Sequence, residues 1–488
     1  MNKRSLTIII TLLLIFVIAA CGGPAPAPEE TSAAVTEAPD KTKLVIAGDG
    51  GANQIAFFWN EQEMESEFDV NLDIIGFSFE DLYTKLKTEF VAGTGAYDVV
   101  VFFPKFLGDF VVNDYIVPLT PFMETSPADM EDIVPAFRDL YGKVGNDYYA
   151  LPYDGDVLAL FYRTDLFSNE EEKAAFETKY GYPLAVPETW DQYLDVAEFF
   201  TRKAGDKLAG ETLANDFYGT ATYGNKDFQY AWYLNYAAPM GFHYFDENMT
   251  PGINSPEAVK ALEMYKEEFK YAPPETITYG FDELQAIFLQ GNTAMEIQWT
   301  DPGRVGQNPA VSNIVGKIGT ALVPGVEKDG TVIHRPMMAA GRVIGVTKWA
   351  KDPMKAYQIA RFMAQEASLG YVSSPQSGQD PFRYSHYNAP GSFEMFPDPA
   401  QAADYLEGIK LNLENGFPEL TIPGTEQYLN SLAVALNTYL TTDNADAQAT
   451  LDGVAKQWDE ITDKLGRDTQ KAFYQEQLKV WEELGYYP

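Results

Sequence analysis

Short apolar runs alternate with segments of helical periodicity along the first part of the chain. In order, the pattern predicts a strand at Lys43–Ile46, a helix at Phe57–Phe68, a strand at Val70–Ile75, a helix at Asp81–Ala92 and a strand at Tyr97–Phe103. The last of these, YDVVVFF, is continuously apolar, as in a strand buried on both faces. Alternating strands and helices predict a parallel sheet with ligand sites at the carboxyl ends of its strands.

The residues that follow these strands are therefore candidates for ligand binding. Asp49 and Asn53 follow the first strand, and Phe103 and Lys105 follow the run YDVVVFF. The stretch GDGGAN is not a dinucleotide fingerprint, because Asn53 stands where G-x-G-x-x-G requires its last glycine. For Lys105 a solvated surface position is the alternative to a ligand contact.

The stretch LPYDGDVLALFYRTDLF, residues 151–167, predicts a crossing between two lobes. Asp154 and Asp156 flank a glycine directly before the apolar run Val157–Tyr162, which has the composition of a buried strand. Carboxylates beside such a bend suit a ligand cleft, because residues at the end of an element can absorb a closing motion. The alternative is that the two acids only terminate a turn.

Two aromatic segments lie farther along. In PETWDQYLDVAEFF, Thr189 is placed to cap a helix on which Trp190 is interpreted as a packing residue. In DFQYAWYLNYAAPMGF, rings crowd one helix-length segment and either form helix core or offer flat faces to a sugar ring, with Asp227 nearby to bond hydroxyls. Periodicity alone favours helix core.

Two strand ends in the second half of the chain carry further candidates. In FDELQAIFLQGNTAMEIQWTDPG, Gly291 ends a helix, and Trp299 and Asp301 emerge at the end of the next strand. Trp299 is the main candidate for stacking on a sugar. In MMAAGRVIGVTKWAKDPMKAY, Gly341 and Arg342 begin a strand that is followed by a helix opening near Asp352.

Composition and charge exclude several classes of function. At 488 residues, two domains or lobes are expected, and a net charge of −36 at pH 7 argues against nucleic acid. The sequence contains no G-x-S-x-G, H-E-x-x-H or P-loop motif, and its three histidines are scattered, so neither a catalytic metal nor a cofactor is expected. A catalytic carboxylate pair, as in glycoside hydrolases, is not excluded by the sequence, since 71 acidic residues are present. An adhesive surface module would consist of repeated all-β units, and the sequence shows no such repeats.

The N-terminus predicts secretion and a lipid anchor. Lys3 and Arg4 precede an apolar run, Leu6–Ala20, that is short for a membrane span and ends in Ile-Ala-Ala-Cys, which looks like a bacterial lipobox. Cleavage after residue 20 would leave Cys21, the only cysteine, as the acylated N-terminus. An ordinary buried cysteine is the alternative. Residues 21–41, rich in proline, alanine and acids, predict a flexible tether.

Five of these stretches, in this order, resemble the family 1 extracellular solute-binding proteins, the maltose-binding-protein-like receptors of ABC sugar importers. They are YDVVVFFPKFLGDFVVNDYIVPLTPF, the crossing that ends in Tyr-Arg-Thr-Asp-Leu-Phe, PETWDQYLDVAEFF, FDELQAIFLQGNTAMEIQWTDPG and the segment Met337–Gln365. The resemblance implies a periplasmic-binding-protein-like α/β fold in which two α/β lobes are joined by a multi-crossing hinge, with a ligand cleft between them. It divides the chain into residues 42–153 and 337–382 for lobe I, and 154–336 and 383–488 for lobe II.

The resemblance also implies ligand contacts. It places the segment just past YDVVVFF, with Lys105, at the sugar. It also places ligand contacts on the aromatic helix, so we expect a mixture of core and ligand contacts there, with Trp232 or Tyr233 in the cleft. It puts a further crossing near Arg383 and His386 and another ligand-facing region near Tyr428. For His386 a structural role is the alternative.

The resemblance implies a function as well: a monomeric, non-enzymatic lipoprotein, anchored at the cell membrane and facing the extracellular space or periplasm, that captures a carbohydrate and presents it to membrane permease subunits. A secreted hydrolase and a receptor for a non-sugar solute are the alternatives.

Overall fold

Two separate β-sheets organise residues 41–486, the part of the chain that this computed structural model describes. The strands within that range are β1 (Thr42–Asp49), β2 (Val70–Phe77), β3 (Val99–Phe102), β4 (Lys143–Val144), β5 (Asp147–Tyr148), β6 (Ala150–Asp154), β7 (Ala159–Arg163), β8 (Lys207–Leu208), β9 (Glu211–Thr212), β10 (Met295–Gln298), β11 (Ile318–Ala321), β12 (Val326–Lys328), β13 (Thr331–Ile333), β14 (Met337–Met338), β15 (Arg342–Val346) and β16 (Phe417–Pro418).

Helices surround both sheets. They are α1 (Ile55–Glu67), α2 (Leu82–Ala92), α3 (Leu107–Val112), α4 (Thr120–Met123), α5 (Thr164–Phe167), α6 (Glu170–Tyr180), α7 (Trp190–Phe200), α8 (Gln229–Ala237), α9 (Pro256–Glu268), α10 (Phe281–Leu289), α11 (Asp301–Val305), α12 (Pro353–Ala364), α13 (Ser368–Val372), α14 (Tyr384–Tyr387), α15 (Pro399–Glu414), α16 (Thr425–Thr441), α17 (Ala447–Leu465) and α18 (Arg467–Glu483). None of the helices in residues 41–486 has the length and apolar character of a membrane span.

The larger sheet has five strands in the order β2-β1-β3-β15-β6. Strands β2, β1 and β3 are parallel, whereas β15 runs antiparallel to both β3 and β6. Strand β6 therefore runs in the same direction as β1, β2 and β3, so the expectation of a parallel sheet is correct for four strands and wrong for β15. The reason is that the chain returns to β15 from the second sheet, which contains β11, rather than through a local crossover helix, so the right-handed βαβ rule does not set the direction of β15.

The second sheet is small and antiparallel throughout. Its order is β10-β7-β11, with β7 in the centre, and α15 packs on β11 while α10 packs on β10. Strand β7 follows β6 after only four residues, so the chain leaves one sheet and enters the other within residues 155–158. The two sheets with their helices confirm two α/β lobes. The exact lobe boundaries stay a prediction.

The elements predicted from periodicity agree with the structure to within a few residues. The predicted capping of α7 is also confirmed, because the Thr189 hydroxyl accepts a hydrogen bond from the backbone N–H of Gln192, and the Gln192 side-chain oxygen accepts one from the backbone N–H of Thr189. Gly291 has a positive φ of 82° just after α10, as a helix stop requires. The Asp352 side chain caps α12.

Residues 1–40 and 487–488 lie outside the described residues. The predicted signal peptide, almost all of the tether and the lipidation of Cys21 fall in this region and stay predictions.

Candidate functional site

Arg342 lies at the edge where several strands of the larger sheet end. A β-bulge between Arg342 and Val343 sets Arg342 opposite Asp154, the last residue of β6. The guanidinium donates to Asp49 at the end of β1, at 2.8 Å from Nη2 and 2.9 Å from Nε, and to Asp154 from Nη1. Because β15 is antiparallel to its neighbours, its first residue meets the last residues of the other strands, so sheet topology brings these three side chains together.

A second pair of acids surrounds this ion pair. Oxygens of Asp154, Asp156 and Asp380 all lie within 4.8 Å of one another, and these residues are at most 4% exposed. Burial, opposed by Arg342 and supported by nearby Asp380, raises the pKa of Asp154 to about 7. Burial and then the charges of Asp154 and Asp380 raise the pKa of Asp156 well above its usual value. Three carboxylates this close together could bind a cation, and Asp154 is already paired with one, the Arg342 guanidinium.

A fifth acid, Asp301, joins the cluster from the second lobe. It begins α11 directly after β10 and lies 3.4 Å from Nη2 of Arg304, which also contacts Asp380 at 3.2 Å. Burial and the neighbouring charge of Asp380 raise the pKa of Asp301 well above its usual value. Carboxylates from both lobes and from the segment around residue 380 therefore share one buried electrostatic network.

Glycine is required at two points where chain segments approach closely at this network. A Cβ on Gly155 would lie 2.3 Å from the Pro381 carbonyl oxygen. Gly341 has φ of 66°, and its N–H donates to Asp156 Oδ2 at 2.8 Å. Larger residues at these positions would push the crossing segments apart.

A cavity of about 560 Å³ opens above the network, between elements of the two lobes. Segments that follow strands of the larger sheet contribute residues 50–53 and 79–80, together with Arg342 and residues 375–378. The opposite wall comes from Tyr223, Asn225 and Asp227, the start of α10, and Trp299 and Asp301 after β10. The volume of the cavity falls within the range of roughly 300–1,000 Å³ that is typical of small-molecule sites.

Trp299 forms an aromatic wall of this cavity. Its ring meets Trp232, Phe228 and Tyr223 edge to face, with centroids 5.1, 5.4 and 5.8 Å apart. Its Nε1–H donates to the Ala339 carbonyl at 2.9 Å, and the side chain is only 3% exposed. The indole is thus held rigidly, with part of its surface lining the cavity.

The structure brings six of the predicted site residues to the cavity lining: Asn53, Asp156, Asp227, Trp299, Asp301 and Arg342. Asp49, Asp154 and Gly341 lie directly behind the lining, bonded to Arg342 or Asp156.

Phe103, Lys105 and Trp232 form a layer behind that wall. The Lys105 ammonium is buried, 4.1 Å from the ring of Phe228 and 3.1 Å from Glu426, so it is not the solvated lysine of the alternative interpretation. Helix α8 is buried along its whole length, which makes its rings core. Trp232 stacks on Tyr223 at 4.3 Å and donates to the Ile297 carbonyl, and Tyr233 bonds the Ala258 carbonyl.

Three predicted residues lie away from the cavity. Arg383 bonds Asp132 and the Ala364 carbonyl. His386 is buried between Ser368 and the Phe382 amide, and burial lowers its pKa to about 3. Tyr428 bonds Thr462 within the C-terminal helices. Each is held by contacts within the fold, which fits the structural alternative considered for His386.

Several lining residues were missed from the sequence. Phe79 and Glu80 follow β2 and could have been found by the same strand-end rule that gave Asp49. Tyr223, Asn225, residues 278–285 and residues 375–378 belong to loops and helix starts without a local signal. Only the packing of distant segments brings them to the cavity.

Chemically, this arrangement suits the capture of a polar solute. One wall is aromatic, the floor and rim carry carboxylates that accept hydrogen bonds, and the Arg342 guanidinium is fixed among them. The residues that line the cavity come from both lobes, so a bound solute would contact both lobes at once.

Several bacterial binding proteins match part of this chain in sequence. It is 28% identical over 229 residues to a probable ABC transporter-binding protein of Deinococcus radiodurans, covering 46% of this chain and 49% of that protein. It is 26% identical over 264 residues to a probable amino-acid ABC transporter periplasmic-binding protein of Sinorhizobium fredii, covering 52% and 55%. It is 27% identical over 240 residues to the mannitol-binding protein of Pseudomonas aeruginosa, covering 48% and 50%. The matches span about half the length of these relatives.

Similarity to solved structures extends further. An ABC transporter solute-binding protein from Agrobacterium radiobacter, in complex with ribitol, superimposes with a TM-score of 0.72 at 25% identity, covering 86% of this chain and 99% of that one. The profile of the family described as bacterial extracellular solute-binding protein matches residues 52–368, which is more than half of the 488 residues. On these grounds the chain belongs to the bacterial extracellular solute-binding proteins.

Proposed function

We propose that this protein captures a carbohydrate or polyol in the cavity between its lobes and delivers it to an ABC importer. The observation that carries the proposal is the position of Trp299, whose indole lines the cavity beside Asp156 and Asp301. A flat apolar face suits the C–H face of a sugar ring or polyol chain, and carboxylates suit its hydroxyls. The names of the mannitol and ribitol proteins described above support this class of ligand.

Binding would work as a shift between open and closed arrangements of the lobes. The crossing at residues 155–158 and the glycines 155 and 341 lie directly beside the acids that line or support the cavity. A ligand that contacts both walls interacts more strongly with the closed arrangement, and that difference in affinity drives closure. The closed form is the one presented to the permease subunits.

We propose binding without catalysis, in preference to a hydrolase. Asp154 is fully buried and already bonded to Arg342 and to the Asp380 amide, so it has no free access to a glycosidic bond. A receptor for a non-sugar solute is the other candidate, favoured by the name of the Sinorhizobium relative. The proposal also includes a monomer that acts outside the cytoplasm and is held at the membrane through Cys21.

A ligand screen with product analysis tests this function. The protein is expected to melt at a higher temperature with at least one mono- or oligosaccharide or polyol, which is recovered unchanged. At a ligand concentration one hundred times the Kd the gain is about 2.7 kcal/mol. Turnover of a glycoside would establish the hydrolase instead, and a shift with amino acids or peptides alone would establish the non-sugar receptor.

A further inference from the structure

The lining of the cavity is strongly unbalanced in charge. Within residues 41–486, one cation, Arg342, lines it, together with six carboxyl side chains: Glu80, Asp156, Asp227, Asp282, Glu283 and Asp301. They come from both walls, so the excess of acid surrounds the space rather than marking one rim. Neutral hydroxyls need acceptors, but they do not need this many carboxyl groups facing one volume.

The cations near the cavity do not offset this excess. The Arg342 guanidinium is already shared by Asp49 and Asp154, and its Nη1 is 3.9 Å from Asp156 Oδ2. The Lys105 ammonium is 4% exposed behind the wall and is paired with Glu426. Lys226, beside Asp227 in sequence, is exposed and is not part of the lining.

Asp156 and Asp380 retain unused acceptors. The described hydrogen bonds to the Asp156 carboxylate all go to Oδ2, from the Gly341 amide, while the residue lines the cavity. Asp380 is fully buried, and its Oδ2 has no hydrogen-bond partner among the described residues, although its carboxylate lies within 4.8 Å of that of Asp156. A buried carboxylate oxygen without a donor normally costs free energy. A positive charge arriving at Asp156 would compensate for it.

We propose that the natural ligand is a carbohydrate or polyol that carries a protonated amine, and that the ammonium group binds against Asp156 while the carbon skeleton lies on Trp299. This inference rests on the proposed function and narrows its ligand class. An ammonium group supplies several donors and a full charge. Hydrogen bonds between charged groups contribute more than those between neutral ones, which favours an amine over a hydroxyl at this position.

The protonation of the site supports the same ligand. Burial and adjacent acids raise the pKa of both Asp156 and Asp301, so they hold protons more tightly than ordinary carboxyls do. A bound ammonium stabilises the ionised form and lowers those pKa values. Binding of an amine is therefore coupled to proton release from the protein, whereas binding of a neutral sugar is not.

The test compares matched ligands by calorimetry with the full chain in mild detergent at pH 7. The pairs are glucosamine with glucose and with N-acetylglucosamine, and glucamine with sorbitol. The amine is expected to bind at least about tenfold more tightly than its neutral counterpart, from the difference between charged and neutral hydrogen bonds. This preference should fall as salt is added. Repeating the titration in buffers of different ionisation enthalpy should show protons released only with the amines.

Variants locate the preference. Asp156→Asn keeps an acceptor for the Gly341 amide but removes the charge, so the ratio of amine to neutral affinity should fall towards one. Asp227→Asn, at a half-buried position on the opposite wall, should lower the ratio of amine to neutral affinity by a smaller amount. This variant replaces Asp156→Asn in the test if Asp156→Asn does not fold. Glu268→Gln is the matched control, because Glu268 is buried in the second lobe and does not line the cavity. It should leave the ratio unchanged.

The outcomes separate this inference from the proposed function. Equal affinity for amines and neutral sugars would overturn the inference and leave the carbohydrate receptor standing. Binding of putrescine or spermidine, with no binding of any carbohydrate, would overturn both. Binding of calcium in place of any amine would show that the acids form a metal site and would also overturn the inference, as would a preference unchanged in both cleft variants.

Discussion

At the scale of single residues, Arg342 explains why so many acids can lie together in the interior. Its guanidinium contacts Asp49 through Nε and Nη2 and Asp154 through Nη1, and Arg304 contacts Asp301 and Asp380 through its Nη2. Buried charges are tolerated only when they are paired, and the removal of one partner leaves the other uncompensated. The two arginines therefore make the acidic floor of the cavity compatible with a folded protein.

Trp299 carries the first prediction at this scale. Trp299→Ala removes the apolar wall of the cavity and is expected to weaken carbohydrate binding by roughly 1 to 3 kcal/mol, or about 5- to 150-fold. The same change empties a site packed by four other rings and should lower the free energy of unfolding by about 3–5 kcal/mol. Calorimetry and denaturant unfolding of the same variant measure the two effects.

Trp232→Ala is the matched control for Trp299. Both indoles are buried, and both donate Nε1–H to a backbone carbonyl, but only Trp299 lines the cavity. The control should lose comparable stability and much less affinity in its folded fraction. Equal losses of affinity in the two variants, or normal binding by Trp299→Ala, would show that Trp299 is core only.

At the scale of elements, a buried acid joins three helices of the second lobe. Glu268, the last residue of α9, accepts hydrogen bonds from Tyr193 of α7 at 3.0 Å and Tyr236 of α8 at 2.9 Å. Burial raises its pKa to about 7, although these hydroxyls act in the opposite direction. The helices thus meet round a carboxyl that is protonated over much of the weakly acidic range.

This arrangement predicts a dependence of stability on pH. A carboxyl whose pKa is raised by folding binds its proton more tightly in the native state, so its contribution is present below the unfolded pKa and is lost as pH rises through the folded one. Between about pH 4.5 and 7, Glu268 should therefore lower the free energy of unfolding by up to about 3 kcal/mol. Glu268→Gln should remove that part of the decline, as measured by denaturant unfolding across the range.

The adjacent Glu267 provides the control. It is partly exposed and pairs with Lys270 on the surface of the same segment. Glu267→Gln should leave the pH profile of stability as in the wild type. A profile that is equally steep in Glu268→Gln would mean that Glu268 is ionised in the folded protein.

At the scale of the whole molecule, the described lobes and the N-terminal region are expected to act independently. Cys21→Ala should release the protein from membranes and leave its affinity for ligand unchanged, because the predicted tether separates the anchor from the cavity. Membrane fractionation, labelling with a radioactive fatty acid and calorimetry provide the measurements. If the variant still sediments with membranes and the wild type takes up no label, Cys21 is not the anchor.

The sequence by itself determined the elements and the general architecture. Local rules were sufficient because the strands, the Thr189 cap, the glycine stop at Gly291 and the start of α12 depend on residues a few positions apart. The strand-end rule also placed Asp49, Trp299 and Asp301 at the cavity or directly behind it, since the chain direction at the end of a strand decides where its next residues lie.

Only the tertiary structure decided the antiparallel direction of β15, the layer in which Lys105 and Trp232 lie, and the contribution of residues 278–285 and 375–378 to the cavity. These outcomes depend on contacts between segments up to about three hundred positions apart, such as the contact of Asp49 with Arg342. No local periodicity records which of two equally apolar faces meets the cleft. The charge balance of the cavity belongs to the same class, because it depends on which of the 71 acids face one enclosed space.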